Sequence, residues 1–485
     1  MALAPNKTKL VFTIGPASES PEILRQMLLA GMNIARLNFS HGDFAWHKSI
    51  IENLRKASSD IGRQVTILAD LPGPKMRIGA FVEEPIELKQ GDSFTLTTND
   101  IIGDRQHVSV SFPRLPTVVK PNDHLYINDG YIQLEVVKIA GNNVECRVLI
   151  GGELRSRKGL NLPSIKLGVS EFTEHDGECL KFALENGVNA FSQSFVESAA
   201  DIDAVRKAAA DLGYHPFIIA KIERARALIN IDEILKAADG LMIARGDLGV
   251  ETPLENIAVV QKQLIRKANL CGKPVITATQ MLASMVNHYR PTRAESTDVA
   301  NAILDGTDNV MLSEESAMGK FPVQAVEILA RIAVATEPSR HEIQLTEYVL
   351  ADDIHLVDLI SRNVWQTVAH IHPVAVCIPT FTGHTARMVS RFKLPVWIAA
   401  VSSDATTCTG LQFSYGVLPL HTQDHPADWT PFARNWAKNE GLAEGRMVLI
   451  ENPSQNKTEA NPRVEILDLE LPPAGEKTLT DKDKR

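Results

Sequence analysis

The 485-residue sequence predicts an α/β chain: a (β/α)8 TIM barrel that carries an inserted, β-barrel-like lid domain and is followed by a separate α/β domain. Three observations lead there. Short apolar runs alternate with amphipathic, Ala/Leu-rich stretches across residues 7–336, the mark of βα units around a buried parallel sheet. The alternation gives way over residues 74–162 to runs of two-residue period without a long helix, and it starts again after about residue 345.

The barrel strands are expected at 9–14, 33–39, 65–71, 190–195, 217–222, 240–244, 275–279 and 309–312, within a domain spanning 1–72 and 163–340. Helices between them have readable ends, such as Ser20-Pro21-Glu22 opening the first and Ala30-Gly31 closing it. In the insertion, taken as 73–162, the runs 93–97, 108–112 and 125–127 read as strands, with hairpin turns at Asp129-Gly130 and Gly141-Asn142-Asn143. Because it leaves and re-enters at a βα loop, it is expected over the barrel's active face, as a lid that excludes water. The C-terminal domain, 345–471, is expected to hold helices at 356–369 and 384–392 and strands at 374–378, 396–401, 417–420, 447–450 and 467–469. The polar, charged tail 472–485 reads as disordered.

Composition narrows the class. A net charge of -9 and a pI near 5.9 argue against a general nucleic-acid-binding surface, so basic residues meeting anionic ligands must gather locally. Five scattered cysteines, never in a C-x-x-C arrangement, indicate neither a disulfide framework nor a structural zinc site. No apolar run reaches membrane-spanning length, and Met1 to Lys7 leads into a strand without a signal-peptide pattern; a cytoplasmic protein that contacts neither membrane nor nucleic acid is expected.

The chemistry concentrates in two segments, Ile219-Ala-Lys221-Ile-Glu223 and Met242-Ile-Ala-Arg245-Gly-Asp247-Leu-Gly249, each ending an apolar strand. In a parallel barrel those ends open on one face, where Lys221, Glu223, Arg245 and Asp247 are expected to converge. Carboxylate oxygens suit Mg2+, which keeps positions open for substrate oxygens. An ion-pair network at a barrel rim explains either segment alone equally well; together they favour a divalent-metal site beside a fixed cation.

Seven motifs then carry a resemblance. They are Asn33-Ile-Ala-Arg36-Leu-Asn38-Phe-Ser40-His41-Gly42, Gly73-Pro74 with Arg77, Lys158-Gly-Leu-Asn-Leu-Pro163, Ile219 to Glu223, Ala244 to Gly249, Ile276-Thr-Ala-Thr279-Gln-Met281 and Pro291-Thr-Arg-Ala-Glu295. In order and kind they resemble the pyruvate kinase family, strongly over residues 7 to 336 and weakly beyond. The resemblance implies Mg2+-dependent phosphoryl transfer from phosphoenolpyruvate to ADP, giving ATP and an enolate that is protonated to pyruvate. Such a loose transfer relies on positioning and cationic stabilisation.

The resemblance assigns roles. Arg36 grips the phosphate, Lys221 stabilises the moving phosphoryl group and the enolate, and Glu223 with Asp247 holds Mg2+ or Mn2+. Backbone N–H groups of the turn Ala244-Arg245-Gly246-Asp247 receive the substrate carboxylate. Thr279 takes part in enolate protonation, and since a hydroxyl is too weak an acid alone, a relay through Ser313 and Glu315 is expected. His41, Arg77, Arg157 and Lys158 face the ADP or ATP phosphates, with Arg157 standing where the pattern has lysine. A homotetramer is also implied.

Departures from the pattern matter as well. Potassium-requiring members read Asp-Thr-Lys-Gly-Pro-Glu where this chain reads Asp70-Leu71-Pro-Gly-Pro-Lys75. Asn38, Ser40 and Asp70 match the potassium-holding positions, but Leu71 lacks the threonine oxygen, so the Lys75 ammonium is expected to replace K+. Glu314, in Ser313-Glu-Glu-Ser316, is an added carboxylate whose benefit the sequence does not explain. In the C-terminal domain Thr380-Phe-Thr382-Gly383-His-Thr385 fits either a phosphate nest for a phosphorylated sugar or nucleotide effector or a plain helix cap. Asn452 to Thr458 lacks the aromatic and arginine that a fructose 1,6-bisphosphate site needs. Two competing readings are a metal-dependent aldolase or lyase acting on pyruvate enolate, and a catalytically silent sugar-phosphate sensor.

Overall fold

The computed structural model describes residues 3–74, 76–163, 165, 172–340, 355–423, 426, 428–451 and 462–470. Lys75, the 452–458 loop and the 472–485 tail lie outside the described residues.

Eight parallel strands close a barrel. In chain order they are Lys9–Thr13, Ile34–Asn38, Thr66–Leu71, Ala190–Gln193, Phe217–Ile222, Gly240–Ala244, Val275–Ala278 and Asn309–Leu312. The first pairs with the last, Lys9 opposite Asn309, which completes the circle. Buried on both faces, these strands carry apolar side chains at most positions, interrupted by buried polar residues such as Arg36, Asp70, Ser192, Gln193 and Lys221. Five are one or two residues shorter than expected, and in two of these Phe195 (φ 58°) and Thr279 (φ 70°) turn into the left-handed region as the chain leaves the ladder. The first helix, Pro21–Ala30, starts where the Ser20 hydroxyl accepts the Ile23 N–H at 3.3 Å and ends at Gly31.

The insertion follows the third barrel strand. Its six-stranded sheet is built on the hairpin Ile132–Ala140 and Asn143–Ile150, flanked by Ser93–Thr97, His107–Ser109, His124–Ile127 and Leu160–Asn161. A two-stranded ribbon, Ile86–Leu88 with Gly152–Leu154, packs on the same apolar core, so the insertion closes through packing and not through one continuous ladder. Its ingoing and outgoing legs meet in an antiparallel bridge between Arg77 and Gly159. On the ingoing leg the Gly73 N–H donates to Asp176 Oδ1 at 2.9 Å. Gly73 has φ 64°, and a Cβ there would lie 2.9 Å from the Phe195 ring, so neither the conformation nor the space admits a larger residue.

The C-terminal domain is a five-stranded sheet ordered Val417–His421, Trp397–Ser402, Ala375–Pro379, Arg446–Glu451 and Arg463–Asp468, the last antiparallel. Helices Leu356–Ile371 and His384–Ser390 match expectation; Ala405–Leu411 and Thr430–Asn439 were not anticipated. This domain seals the barrel's N-terminal end. Phe413 is fully buried in the barrel's inner core and stacks on Phe217 with 5.4 Å between ring centres. Around it Asn309 Nδ2 donates to the Phe413 carbonyl at 2.7 Å, Lys9 Nζ donates to the Val417 carbonyl at 2.7 Å, and Asp308 accepts the Tyr415 N–H at 2.9 Å. Among the described residues no helix is long and apolar enough to cross a membrane.

Candidate active site

A cavity of about 580 Å³ opens at the C-terminal ends of the barrel strands, beneath the insertion. The barrel lines it with Arg36, His41, Asp70, Lys221, Glu223, Arg224, Ala244, Asp247, Glu251, Thr279 and Glu314, the insertion with Arg77, Asn128, Asp129 and Lys158. Residues 36, 70, 221, 247 and 279 come from five different strand ends, brought together by closure of the sheet.

Asp70 is the hub. Its buried carboxylate accepts from Arg36 Nε at 3.0 Å and Nη2 at 2.5 Å, from Ser192 Oγ at 2.6 Å and from Lys221 Nζ at 3.4 Å. Burial works to raise its pKa, but the Arg36 and Lys221 charges and the Ser192 hydroxyl outweigh that and hold it down at about 2. Arg36 is pinned further by Nη1 donating to Thr13 Oγ1 at 2.7 Å.

Lys221 Nζ lies 2.9 Å from Glu223 Oε1 and donates to Ser194 Oγ at 2.8 Å. Burial opposes its charge, yet Asp70 and Glu223 raise its pKa above the ordinary lysine value, so it is an ammonium ion. Burial raises the Glu223 pKa and Asp247 adds to the rise, against the pull of Lys221. The second Glu223 oxygen accepts the Phe195 N–H at 2.7 Å.

Among the described residues no cluster of three or more His, Cys, Asp or Glu could enclose a metal. Glu223 and Asp247 are two hard oxygen donors on one cavity wall, a set that fits Mg2+ or Mn2+ with the remaining positions taken by substrate or water.

The neighbouring turn divides its side chains. Asp247 lines the cavity, whereas the Arg245 guanidinium runs along the adjacent strand end, donating to the Ala278 carbonyl at 3.3 Å and the Thr279 carbonyl at 2.8 Å and pairing with Asp298 at 2.7 Å. The Gly246 N–H donates to Thr279 Oγ1 at 2.8 Å, and that hydroxyl donates to the Ala278 carbonyl at 2.7 Å. Glu315 is buried and accepts the Ser313 and Leu282 N–H groups at 2.8 and 3.0 Å; it is Glu314 that faces the cavity.

On the insertion side, Arg77 and Lys158 line the cavity, while Arg157, at φ 61°, does not; its carbonyl accepts from Arg77 Nη1 at 2.9 Å. His41 reaches the wall from the loop after the second barrel strand. In the same loop Asn38 Oδ1 accepts the Ser40 N–H at 3.1 Å. Asp70, the third position expected near Lys75, is already committed to Arg36, Ser192 and Lys221. In the C-terminal loop, the Thr380 and Thr382 hydroxyls accept the N–H groups of Gly383 at 3.0 Å and His384 at 3.4 Å, so they cap their own turn; Thr385 is buried.

Sequence reasoning passed over Arg224, Glu251, Asn128 and Asp129. Arg224 Nη1 stands 3.7 Å from Glu197 and 3.9 Å from Glu251, with its guanidinium over the Phe195 ring. Glu251 lies four residues after Asp247 in the helix Arg245–Glu251, a spacing that puts both on one face and signals its position. Asn128 and Asp129 sit in the hairpin turn that the sequence located, and only the fold brings that turn to the cavity.

Family profiles for "Pyruvate kinase, barrel domain" match residues 5–326 and for "Pyruvate kinase, alpha/beta domain" residues 358–460. The chain is 49% identical to a pyruvate kinase of Thermococcus litoralis over 87% of its length and 90% of that protein. It is 43% identical to a pyruvate kinase of Geobacillus stearothermophilus over 87% of its length and 72% of that protein. A crystal structure of a pyruvate kinase from Cryptosporidium parvum superposes with a TM-score of 0.88 at 33% identity, covering 96% of each chain.

Proposed function

Because the chain belongs to the pyruvate kinase family, it is a phosphotransferase of glycolysis that works between phosphoenolpyruvate and ADP, and we propose that the Arg36, Asp70 and Lys221 cluster carries the transfer. The single observation behind this is Asp70 holding Arg36 and Lys221 together in one buried, charge-paired unit at the cavity wall.

Asp70 fixes the Arg36 fork so that it meets the phosphate without reorganising, and Lys221 stays protonated where charge develops on the phosphoryl oxygens and then on the enolate. Glu223 and Asp247 would hold Mg2+ or Mn2+, which when bound supplies charge neutralisation and orients substrate oxygens. Ala244, Arg245, Gly246 and Asp247 contribute the backbone edge that receives the substrate carboxylate, Arg245 acting through its grip on the strand end. Thr279 borders the cavity and orders the water that protonates the enolate; Ser313 acts through the turn that presents Glu314. His41, Arg77 and Lys158 meet the nucleotide phosphates, and Arg157, outside the cavity wall, supports Arg77 through its main-chain carbonyl.

Lys75 takes the place of K+ beside Asn38 and Ser40, a proposal that rests on the Leu71 and Lys75 replacements. The C-terminal domain takes a phosphorylated sugar or nucleotide as effector, and the working enzyme is a cytoplasmic homotetramer. A lyase acting on pyruvate enolate would leave Arg77 and Lys158 without a task.

The experiment is a coupled assay of pyruvate formation from phosphoenolpyruvate and ADP with Mg2+, comparing the natural chain with Lys221→Met. Turnover in the first and its loss from a well-folded second are expected; near-natural turnover in Lys221→Met removes the assignment.

A further inference from the structure

The seam between the barrel and the C-terminal domain holds a group of cations that the catalytic cavity does not use. The end of the helix His384–Ser390 docks on the end of the helix Ile257–Leu270: Arg391 Nη1 donates to the Leu270 carbonyl at 2.9 Å, and a Cβ on Gly272 would lie 2.6 Å from Met388 Sδ. This contact sets Lys273, just past Gly272, against the face bearing His384, Arg387 and Arg391. Residues 384, 387 and 391 follow at intervals of three and four, so an imidazole and two guanidinium groups line one side. His384 feels Arg387, Lys273 and Arg391 together, and these charges reinforce burial in lowering its pKa.

Two carboxylates stand nearby, and each is already taken. Asp239 accepts from Arg206 Nη2 at 3.0 Å and from the Ile218 N–H at 3.0 Å. Asp358 accepts from Arg391 Nη2 at 2.8 Å and from the His355 N–H at 3.1 Å. Among the described residues Lys273 donates only to the Ala238 carbonyl, at 2.7 Å, and Arg387 forms no ion pair within 4.0 Å. Burial presses both below their ordinary pKa ranges. The seam is open to solvent at Cys271 and His384, which are exposed. Two half-buried cations that repel one another, with Asp239 the shared counter-charge but in no ion pair with either within 4.0 Å among the described residues, have the charge of a dianion's counterpart.

We propose that Lys273 and Arg387 form a binding site for a phosphate monoester in the seam between the barrel and the C-terminal domain. The ligand's dianionic head neutralises both cations at once and joins a barrel loop to a C-terminal helix, so its binding stiffens the junction of the two domains. This places the regulatory ligand of the preceding reading beneath the helix His384–Ser390, away from the self-capped Thr380–Thr385 loop. It rests on that reading only for a change in turnover; binding is measured on its own.

The test is calorimetric titration of the full chain with ribose 5-phosphate and with ribose, phosphoenolpyruvate being present at saturation without nucleotide so that the catalytic cavity is filled. Ribose 5-phosphate is expected to bind and ribose not. Arg387→Gln and Lys273→Met should each weaken binding at least about ten-fold while basal turnover at saturating substrates persists, since each removes a charge-assisted contact. Thr382→Val should leave binding unchanged. No binding by the natural chain up to about 10 mM, natural affinity in both cation variants, or loss confined to Thr382→Val each overturns the site. Should Arg387→Gln misfold, Lys273→Met, on the barrel side, decides. Binding without any change in turnover keeps the site and refutes only its regulatory role.

Discussion

Arg245 Nη2 donates to the main-chain carbonyl of Thr279 at 2.8 Å, so the guanidinium two residues before Asp247, the carboxylate proposed to hold the metal, serves the neighbouring strand end in space. Thr279 is β-branched and sits at φ 70°, a conformation that costs roughly 1–3 kcal/mol and persists only where neighbours enforce it. Arg245 supplies that enforcement, with Asp298 holding its other side. Arg245→Leu is therefore expected to lower kcat about 100-fold by shifting the Thr279 hydroxyl, with a smaller change in the KM for ADP. Steady-state kinetics together with circular dichroism check this; an unchanged kcat in a folded variant contradicts it.

Asp70 has a folded-state pKa of about 2 against an ordinary 3.8, so its contribution to stability is complete above the higher value and disappears as pH falls through the lower one. That contribution is on the order of 2 kcal/mol. Asp70→Asn leaves two buried cations under-compensated and should be destabilised by about 3 kcal/mol at neutral pH. The stability gap between the two proteins should narrow as pH approaches 2, followed by denaturant unfolding across the acid range. A gap independent of pH would show that the carboxylate's charge is not what stabilises the unit.

Lys9 lies fully buried at the barrel's sealed end, its Nζ on the Val417 carbonyl and 4.9 Å from the centre of the Trp397 ring. Burial lowers its pKa to about 7, against the pull of Glu337 and Asp308. Between that value and 10.5 the unfolded chain binds a proton that the folded chain does not, so this residue makes stability rise with pH in that window and contributes no slope below it. Lys9→Met should remove that component of the slope, seen as a difference in melting temperature between the two proteins that changes from pH 7 to pH 10.

If Lys75 supplies the monovalent charge, turnover in tetraalkylammonium buffer should stay within about two-fold when KCl is added, whereas Lys75→Glu should need K+ for most of its activity. A many-fold rise of the natural chain on adding KCl excludes the replacement.

Barrel and insertion were legible for different physical reasons. A strand buried on both faces is apolar over most of its length, which is why Phe217–Ile222 and Gly240–Ala244 appear at their predicted limits. Side-chain direction at the rim was less accessible. Consecutive helical residues diverge by about 100°, so Arg245 and Asp247 cannot both face one cavity merely because they share a motif. Glu315 was expected in a proton relay, but local hydrogen bonding turns it onto backbone N–H groups and leaves Glu314 at the wall. Phe413 reads as an ordinary apolar residue of the C-terminal domain; that it fills the closed end of a barrel formed from distant strands depends on how two domains dock, which periodicity does not encode.

The Arg77–Gly159 bridge is reinforced by the Ile78 N–H donating to the Lys158 carbonyl at 3.0 Å and the Leu160 N–H donating to the Met76 carbonyl at 2.9 Å, so the two chain segments entering and leaving the insertion are stitched into one stiff double stem. Arg77 rides on one half of that stem and Lys158 on the other. Any swing of the stem carries both charges through the same arc, and neither can approach a polyanion while the other stays behind. A closing insertion would therefore deliver both positive charges to the cavity mouth together, and a strain introduced on either segment would be felt by both.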